Sequence, residues 1–343
     1  MRIIVLGRVI SSANNLSRVL CEDGAERLCA IKGKRIKSLR GSYNSLAAGD
    51  FVQVVPTENG RGLITALEPR RNSFGRYNEK GRADQAIAAN VDRVVCVASC
   101  RLPPFRPRFV DRLAVLAAKA EVPFVIVINK MDLGLDEEAE TRLREYASLG
   151  YGLVRTSVFE KMGLAELACL LSSGTSVLAG QSGAGKTSLL NALFPGLDRK
   201  TQEISLKYER GRHTTTMAEA VVAEPGRMVI DTPGFRRLSL KSLDPADLIL
   251  GFPEFALPGV ECEYGGRCTH TEEEGCAVWR AVSEGKIHPD RYESYVRIRE
   301  EIEAPRKWLR SGTRDPGRLQ RATIPGRKRP GFPLDPYDEG EEC

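Results

Sequence analysis

One stretch, Gly180-Gln181-Ser182-Gly183-Ala184-Gly185-Lys186-Thr187, constrains the fold of this chain more than any other. It has the spacing G-x-x-x-x-G-K-[ST] of the phosphate-binding loop, whose backbone N–H groups surround phosphate oxygens. The apolar run Thr175–Ala179 before it predicts a strand, and the spacing of Ser188–Phe194 after it predicts a helix. A glycine-rich turn with a chance Lys and Thr is the alternative, but strand and helix on the correct sides favour a nucleotide site.

Length and composition narrow the class of protein. The chain has 343 residues, 42% of them hydrophobic and 28% charged, and no apolar run reaches the roughly 18 residues that a membrane span needs. The start, Met1–Gly7, is too short for a signal-peptide core and predicts a first strand instead. We therefore expect a cytoplasmic protein with no membrane contact, whose nine cysteines are thiols or metal ligands rather than disulfides.

Basic residues concentrate towards both ends. The first 82 residues hold 15 Lys and Arg against 7 Asp and Glu, and residues 304–330 hold 9 basic residues against the single acid Asp315. The last thirteen residues are acidic instead. Each basic region is either a nucleic-acid surface or a solvated charged face, and the sequence leaves both alternatives open.

The first 72 residues predict a small β-barrel. Short strand-type runs, among them Ile3–Val9, Arg27–Ile31 and Gly49–Val55, alternate with long polar loops. Five or so such strands suit an OB-fold, which is a common nucleic-acid platform. Residues 69–82 are predicted to form a linker.

From residue 90 the pattern alternates between strands and helices. Val91–Ala98 and Pro123–Ile128 are apolar strand candidates, and helical spacing follows each of them in Phe109–Ala120 and Glu137–Leu149. Two strand–helix units predict a parallel sheet that continues through the phosphate loop. Three cysteines in or beside these elements are expected to be core thiols: Cys96, Cys100 and Cys169.

The second of these strands ends in Asn129-Lys130-Met131-Asp132, which looks like the guanine-specificity motif of GTPases. Doubly wound sheets bind ligands at the carboxyl ends of their strands. The aspartate would accept hydrogen bonds from guanine N1–H and the exocyclic amine, a donor pair that adenine lacks. Thr156-Ser157 lies where a further guanine-binding loop is expected, although an ordinary strand-end turn fits these two residues equally well.

Two segments after the phosphate loop have the features of GTPase switches. Strand Met228–Asp231 leads into Asp231-Thr232-Pro233-Gly234, which supplies an aspartate for water-mediated Mg²⁺ binding and a glycine N–H for the γ-phosphate. The segment Arg210–Thr216 supplies the first switch. From its threonines we select Thr215 as the Mg²⁺ ligand, with Thr214 in reserve.

The residue after Gly234 is Phe235. Ras-like GTPases have a water-orienting Gln at the corresponding position, and a phenyl ring cannot orient water. We expect His213 to act as water-positioner or base, and a surface histidine is the alternative.

The order of the motifs is reversed relative to ordinary GTPases, in which the phosphate loop comes first. Here residues 129–132 and 156–157 precede Gly180. Joining the old termini and opening the chain elsewhere preserves the same sheet, so we predict a circularly permuted GTPase domain.

Four potential metal ligands, Cys262, Cys268, His270 and Cys276, lie close together after this domain. Three thiolates and one imidazole complete a tetrahedral Zn²⁺ site with no open position, so we predict one structural zinc. A helix from Arg291 to Leu309 is expected behind it. Its expected core aromatics are Trp279, Tyr292, Tyr295 and Trp308.

Together these features resemble the bacterial ribosome small-subunit-dependent GTPase A family of circularly permuted GTPases. The resemblance runs from residue 1 to about residue 310 and rests on Gly180–Ser188, Arg210–Thr216, Asp231–Phe235 and Cys262–Cys276 with the following Arg291–Tyr295. The spacing between Cys262 and Cys268 is one residue longer than the family pattern, and the basic-then-acidic tail also departs from it.

Residues and resemblance predict a multi-domain α/β chain. It comprises an N-terminal OB-fold β-barrel (1–72), a circularly permuted P-loop GTPase domain with a parallel sheet and flanking helices (73–250), a C-terminal α-helical zinc-binding domain (251–310) and a mobile charged tail (311–343). The resemblance implies a GTPase that binds the 30S ribosomal subunit and 16S rRNA late in subunit maturation. It further implies hydrolysis of GTP to GDP that is stimulated by the subunit and coupled to release, and we expect a monomer.

Two other classes stay open, a P-loop kinase and a GTP-regulated RNA- or protein-binding module with negligible hydrolysis. The expected catalytic residues are His213, Lys186 and Thr215, and the expected Mg²⁺ ligands are Thr187, Thr215 and Asp231. The expected GTP-binding residues are Asn129, Lys130, Asp132, Thr156, Ser157, Gly180, Gln181, Ser182, Gly183, Ala184, Gly185, Lys186, Thr187, Ser188, Asp231 and Gly234.

Overall fold

The computed structural model describes residues 3–13, 16–32, 42–195, 218–224, 226–235, 238–256, 262–271 and 273–311. Residues 1–303 form one compact unit. The second unit, residues 304–343, is described only as the end of the last helix, up to residue 311. The predicted charged tail beyond residue 311 lies outside the described residues.

The N-terminal strands close into a five-stranded barrel. They are β1 (Val5–Ala13), β2 (Leu16–Cys21), β3 (Glu26–Ile31), β4 (Phe51–Pro56) and β5 (Arg61–Leu67). The order around the barrel is β1-β2-β3-β5-β4, in which β3 and β5 are parallel and the other pairs antiparallel. Alternate side chains point inward, so Val9, Val19 and Ile64 are fully buried in its core. The predicted OB-type barrel is confirmed.

The predicted linker over residues 69–82 is wrong. β6 (Ser73–Asn78) and β7 (Ala83–Ala89) form an antiparallel hairpin there. Phe74 pairs with Ala88 across the hairpin, and both are completely buried. The apolar side chains of these strands are mostly alanines, which gives a weak strand signal, and exposed charged residues occupy the turn between them.

A six-stranded sheet forms the centre of the molecule. Its strands are β8 (Arg93–Ser99), β9 (Phe124–Asn129), β10 (Gly152–Arg155), β11 (Gly174–Gly180), β12 (Glu219–Glu224) and β13 (Arg227–Asp231). In the order β10-β9-β8-β11-β13-β12, the first five strands are parallel and β12 pairs antiparallel at the edge. The carboxyl ends of β9, β10, β11 and β13 therefore meet at one edge.

Helices cover both faces of this sheet, as predicted. They are α1 (Pro107–Lys119), α2 (Glu137–Ser148), α3 (Leu164–Leu170) and α4 (Lys186–Leu193). Val95 of β8 packs in one buried layer with Leu189 of α4, whereas Val94 packs in the other layer with Leu113 of α1. Cys96 and Cys100 are buried, as expected. Cys169 is exposed, which corrects the prediction, because it lies across the short helix α3 from the buried Leu167.

The C-terminal part of the described chain is helical. Short 3₁₀ turns span Asp247–Gly251, Pro253–Ala256 and Gly265–Arg267, as another does earlier at Met131–Leu133, and two helices follow, α5 (Ala277–Ser283) and α6 (Pro289–Ser311). Within the described ranges, no helix is both long and apolar enough to cross a membrane.

The aromatic residues expected in this core differ in burial. Tyr295 is buried against Phe252 and Phe255, with ring centroids 5.3 and 4.8 Å away, and Tyr292 packs partly against the core. Trp279 is 52% exposed, which corrects the prediction, because α5 buries Val278 and Ala281 instead. The side chain of Trp308 lies outside the described part of the chain.

A buried ionic cluster joins α6 to α1. Arg291 donates to Asp111 at 2.7 Å and to the two carboxylate oxygens of Glu254 at 2.7 and 2.9 Å. The Tyr146 hydroxyl also donates to Asp111, at 2.5 Å. Burial alone would raise the pKa of the Asp111 carboxyl, but Arg291 and Arg142 outweigh it and hold that pKa below its usual range. The C-terminal helix is therefore fixed to the sheet-bearing part of the molecule by charges that water does not screen.

Candidate nucleotide site and metal centre

The phosphate loop lies between β11 and α4, at the carboxyl edge of the sheet. Gly183 and Gly185 have φ of +82° and +94°, values that glycine adopts without strain. The Lys186 ammonium donates to the carbonyls of Gly180 at 2.9 Å and Gln181 at 3.1 Å, and burial lowers the pKa of this amine. Since α4 begins at Lys186, the positive end of its dipole adds to this cationic concavity, which suits phosphate groups.

The other side chains of the phosphate loop differ in exposure. Ser182, Thr187 and Ser188 are exposed, whereas Ala184 is buried. A hydroxyl at the first turn of α4 is thus open to a ligand, as the phosphate-loop pattern requires.

The predicted guanine motif contacts the phosphate loop directly. Asn129 Nδ2 donates to the carbonyl of Ala184 at 3.0 Å, and Lys130 Nζ donates to the carbonyl of Gly183 at 2.8 Å. Lys130 has a left-handed backbone (φ +63°) at the end of β9, and its stem spans the gap between the two motifs. Two segments that are some fifty residues apart in the chain are therefore in direct contact at the carboxyl edge of the sheet.

Thr156 and Ser157 complete the contact around the guanine motif. Thr156 Oγ1 donates to Asn129 Oδ1 at 3.2 Å, and Ser157 Oγ donates to Asp132 Oδ1 at 2.5 Å. Both residues are fully buried. These side-chain contacts favour a role in base binding over an ordinary turn, because each hydroxyl orients a group of the motif.

The predicted second switch begins beside the phosphate loop. Phe235 N donates to the carbonyl of Gly180 at 3.1 Å, and a Cβ on Gly234 would lie 2.6 Å from Ser182 Cα. Only glycine permits that close approach. Asp231, at the end of β13, has one carboxylate oxygen buried with no hydrogen-bond partner among the described residues.

The electrostatics of Asp231 are unusual. Burial raises the pKa of its carboxyl to about 6, against the opposing effect of the Lys186 ammonium. A nearby cation stabilises the ionised form of a buried carboxylate most strongly, so Asp231 fits the expected Mg²⁺ position.

Phe235 is 6% exposed and packs in the main core, with the Arg76 guanidinium 5.4 Å from its ring centroid. Its side chain therefore serves packing. His213, Thr214 and Thr215, which the sequence proposes for water activation and Mg²⁺ binding, lie outside the described residues.

A loop that the sequence motifs did not indicate supports the predicted guanine motif. The Cys100 thiol donates to the carbonyl of Lys130 at 2.7 Å, the Cys100 N–H donates to Asn129, and the Lys130 ammonium also donates to the Leu102 carbonyl. This loop follows β8, which lies between β9 and β11 in the sheet. The rule that ligands bind at carboxyl ends of strands could have indicated it.

The four predicted metal ligands converge. Cys262 Sγ lies 3.9 Å from Cys276 Sγ and 3.4 Å from His270 Nδ1, and the Cys276 Sγ to His270 Nδ1 distance is 3.6 Å. The ligand atoms of all four residues, including Cys268, lie within 4.8 Å of one another. A tetrahedral Zn²⁺ with Zn–S bonds of about 2.3 Å separates its sulfurs by about 3.8 Å, so the donor set fits this ion.

Comparisons with known proteins agree with this architecture. A family model described as RsgA GTPase matches residues 67–241. A relative from Thermotoga maritima named small ribosomal subunit biogenesis GTPase RsgA is 38% identical over 307 residues, which cover 88% of this chain and 98% of that protein. One of the same name from Bacteroides fragilis is 33% identical over 302 residues, or 87% of this chain and 97% of that protein.

Two solved structures extend the similarity to the fold. YjeQ from Thermotoga maritima matches with a TM-score of 0.66 and 35% identity, over 88% of this chain and 99% of that one. YloQ, described as a circularly permuted GTPase, matches with a TM-score of 0.62 and 28% identity, over 88% and 96%. The reversed motif order, the barrel and the Cys₃His cluster are thus those of a circularly permuted GTPase with a C-terminal zinc-binding domain.

Proposed function

This chain belongs to the RsgA GTPase family, and from that premise we propose that it binds the small ribosomal subunit, hydrolyses GTP late in the maturation of that subunit and is released on hydrolysis. Membership makes the chain a GTP hydrolase. Stimulation by the subunit, contact with 16S rRNA, a monomeric state and a cytoplasmic location are further parts of the proposal. So are the domain boundaries at residues 72, 250 and 310.

One observation carries the assignment of GTP as the ligand: the hydrogen bonds of 3.0 and 2.8 Å from Asn129 and Lys130 to the phosphate loop. The ribosomal part of the proposal rests on the names of the relatives. These hydrogen bonds place the residues expected to recognise the base within one nucleotide's length of the phosphate loop. A P-loop kinase has no use for an Asn-Lys-x-Asp motif in this position, so the contact favours GTP over ATP.

Two metal ions accompany the proposal. Thr187, Thr215 and Asp231 would hold Mg²⁺ with GTP, and the buried oxygen of Asp231 supports that assignment. Bound Mg²⁺ would neutralise the charge that develops on the β- and γ-phosphate oxygens. Cys262, Cys268, His270 and Cys276 would hold one structural Zn²⁺, supported by their distances.

For catalysis we assign Lys186 and Thr215 to charge stabilisation and His213 to orientation or deprotonation of the attacking water. The burial of Phe235 supports a water-orienting group elsewhere. We expect His213→Ala to lower subunit-stimulated hydrolysis while GDP affinity stays nearly unchanged. Unchanged turnover would end the assignment.

Phosphate release from GTP, measured with and without 30S subunits, tests the function as a whole. We expect a rate well above the intrinsic one when subunits are added. No change would remove the ribosomal assignment, and negligible phosphate release both with and without subunits would favour a GTP-regulated binding module. In a separate binding assay, ATP that competes equally with GTP would favour a P-loop kinase.

A further inference from the structure

Phe159 is the most exposed large apolar side chain within the described ranges, with 87% of its surface open to solvent. Single exposed apolar residues are common, so exposure alone decides nothing. The position of Phe159 in the chain is more informative, because it follows Thr156 and Ser157, which contact the predicted guanine motif.

The turn that carries Phe159 is fixed at its base. Ser157 and Met162 form an antiparallel bridge in which Ser157 N donates to the Met162 carbonyl at 3.1 Å. Inside the turn, Glu160 N donates to Ser157 Oγ at 3.1 Å, and the same hydroxyl donates to Asp132. A single side chain thus ties the turn to the carboxylate expected to bind the base edge.

Phe159 lies a short length of chain from the residue that holds that carboxylate. Two residues of chain span at most about 7 Å, so the Phe159 Cα lies no farther than that from the Ser157 Cα. The Lys130 stem is held at its far end by the Gly183 carbonyl and would cover one face of a bound base. Phe159 is an exposed aromatic ring two residues along the chain from Ser157, whose hydroxyl holds that carboxylate.

We propose that Phe159 stacks on the face of the guanine base opposite the Lys130 stem. This inference rests on the proposed binding of GTP. Asp132 would read the hydrogen-bonding edge of the base, and the phenyl ring would cover one of its faces. Stacking does not depend on the edge, so Phe159 supplies affinity for purines without choosing between them.

Binding of GDP and IDP to the full chain, measured by isothermal titration calorimetry, tests the assignment. IDP lacks the exocyclic amine of guanine but keeps the same ring faces. We expect Phe159→Ala to weaken the affinity for both nucleotides by the same factor, about 5- to 150-fold, so that the GDP-to-IDP affinity ratio stays unchanged. Phe51→Ala is the matched control, since Phe51 is also exposed (43%) but lies on the barrel, and it should leave both affinities unchanged.

Phe159→Trp provides a spectroscopic readout. It should keep GDP affinity and show a change in tryptophan emission on GDP binding that the wild-type chain, with Trp279 and Trp308 only, does not show. The proposal is overturned if Phe159→Ala binds GDP within twofold of wild type, or if it changes the GDP-to-IDP ratio. Wild-type protein that binds GDP no better than ADP would instead overturn the proposed function itself.

Discussion

Replacing Arg291 by Met tests how the C-terminal helix is held. The guanidinium is 1% exposed and donates to Asp111, to both oxygens of Glu254 and to the Gly251 carbonyl at 3.0 Å. Methionine retains an apolar stem but supplies no donor. The substitution therefore leaves two carboxylates in the interior with fewer partners.

The two carboxylates are affected unequally. Asp111 keeps the Tyr146 hydroxyl at 2.5 Å and the Arg142 guanidinium at 3.5 Å, whereas both oxygens of Glu254 lose the donors described above. Removal of one partner of a buried ion pair costs about 3–5 kcal/mol. We expect the free energy of unfolding to fall by about 4 kcal/mol, mostly through Glu254, and Glu254→Gln in the same chain to restore about 2 kcal/mol by removing the stranded charge.

Urea unfolding followed by circular dichroism measures these differences. Arg297→Met is the matched control on the same helix, because Arg297 forms a half-exposed ion pair with Glu293 at 2.8 Å, and it should lose less than about 1 kcal/mol. A loss below about 1 kcal/mol for Arg291→Met would refute the reasoning, as would a double variant whose loss equals the sum of the two single losses.

Three further predictions follow from the site. Cys268→Ser should abolish the binding of one zinc per chain, measured by elemental analysis, and lower the melting temperature; full zinc content would contradict the assigned ligands. Gly185→Ala should weaken GDP binding by at least about tenfold, since a Cβ there would lie 2.3 Å from Asn129 Nδ2 and φ is +94°; unchanged calorimetric affinity would contradict the contact. Because burial raises the pKa of Asp231 to about 6 from 3.8, the contribution of this carboxyl to nucleotide-free stability should fall as pH rises from 4 to 6. The stability of Asp231→Asn relative to wild type should therefore rise over that range, by up to about 3 kcal/mol at neutral pH. In the same variant, Mg²⁺ should no longer strengthen the binding of GTP. Thermal melts with and without Mg²⁺ and GTP measure both effects. A nucleotide-free variant that is no more stable than wild type would contradict the effect of burial on Asp231.

The sequence predicted those parts of the candidate site whose residues lie together in one short motif. The phosphate loop and Asn129–Asp132 are contiguous motifs whose residue types follow from phosphate and guanine chemistry, and the structure joins them. The four metal ligands likewise lie within one short segment and converge.

The errors share a physical origin in packing that the local pattern does not encode. The hairpin β6–β7 has Phe74 as its one large, fully buried apolar residue, so its strands looked like a linker. Cys169 and Trp279 lie on short helices, where the buried face is set by tertiary neighbours rather than by period. Arg291 and Asp111 are 180 residues apart, and no sequence signal pairs them.

A crystal structure with Mg²⁺ and a non-hydrolysable GTP analogue tests the central claim most directly. One nucleotide should have its base N1–H and exocyclic amine on the Asp132 carboxylate and its γ-phosphate beside the Lys186 ammonium. A nucleotide that engages the loop at 180–187 while its base lies away from Asp132 would contradict it.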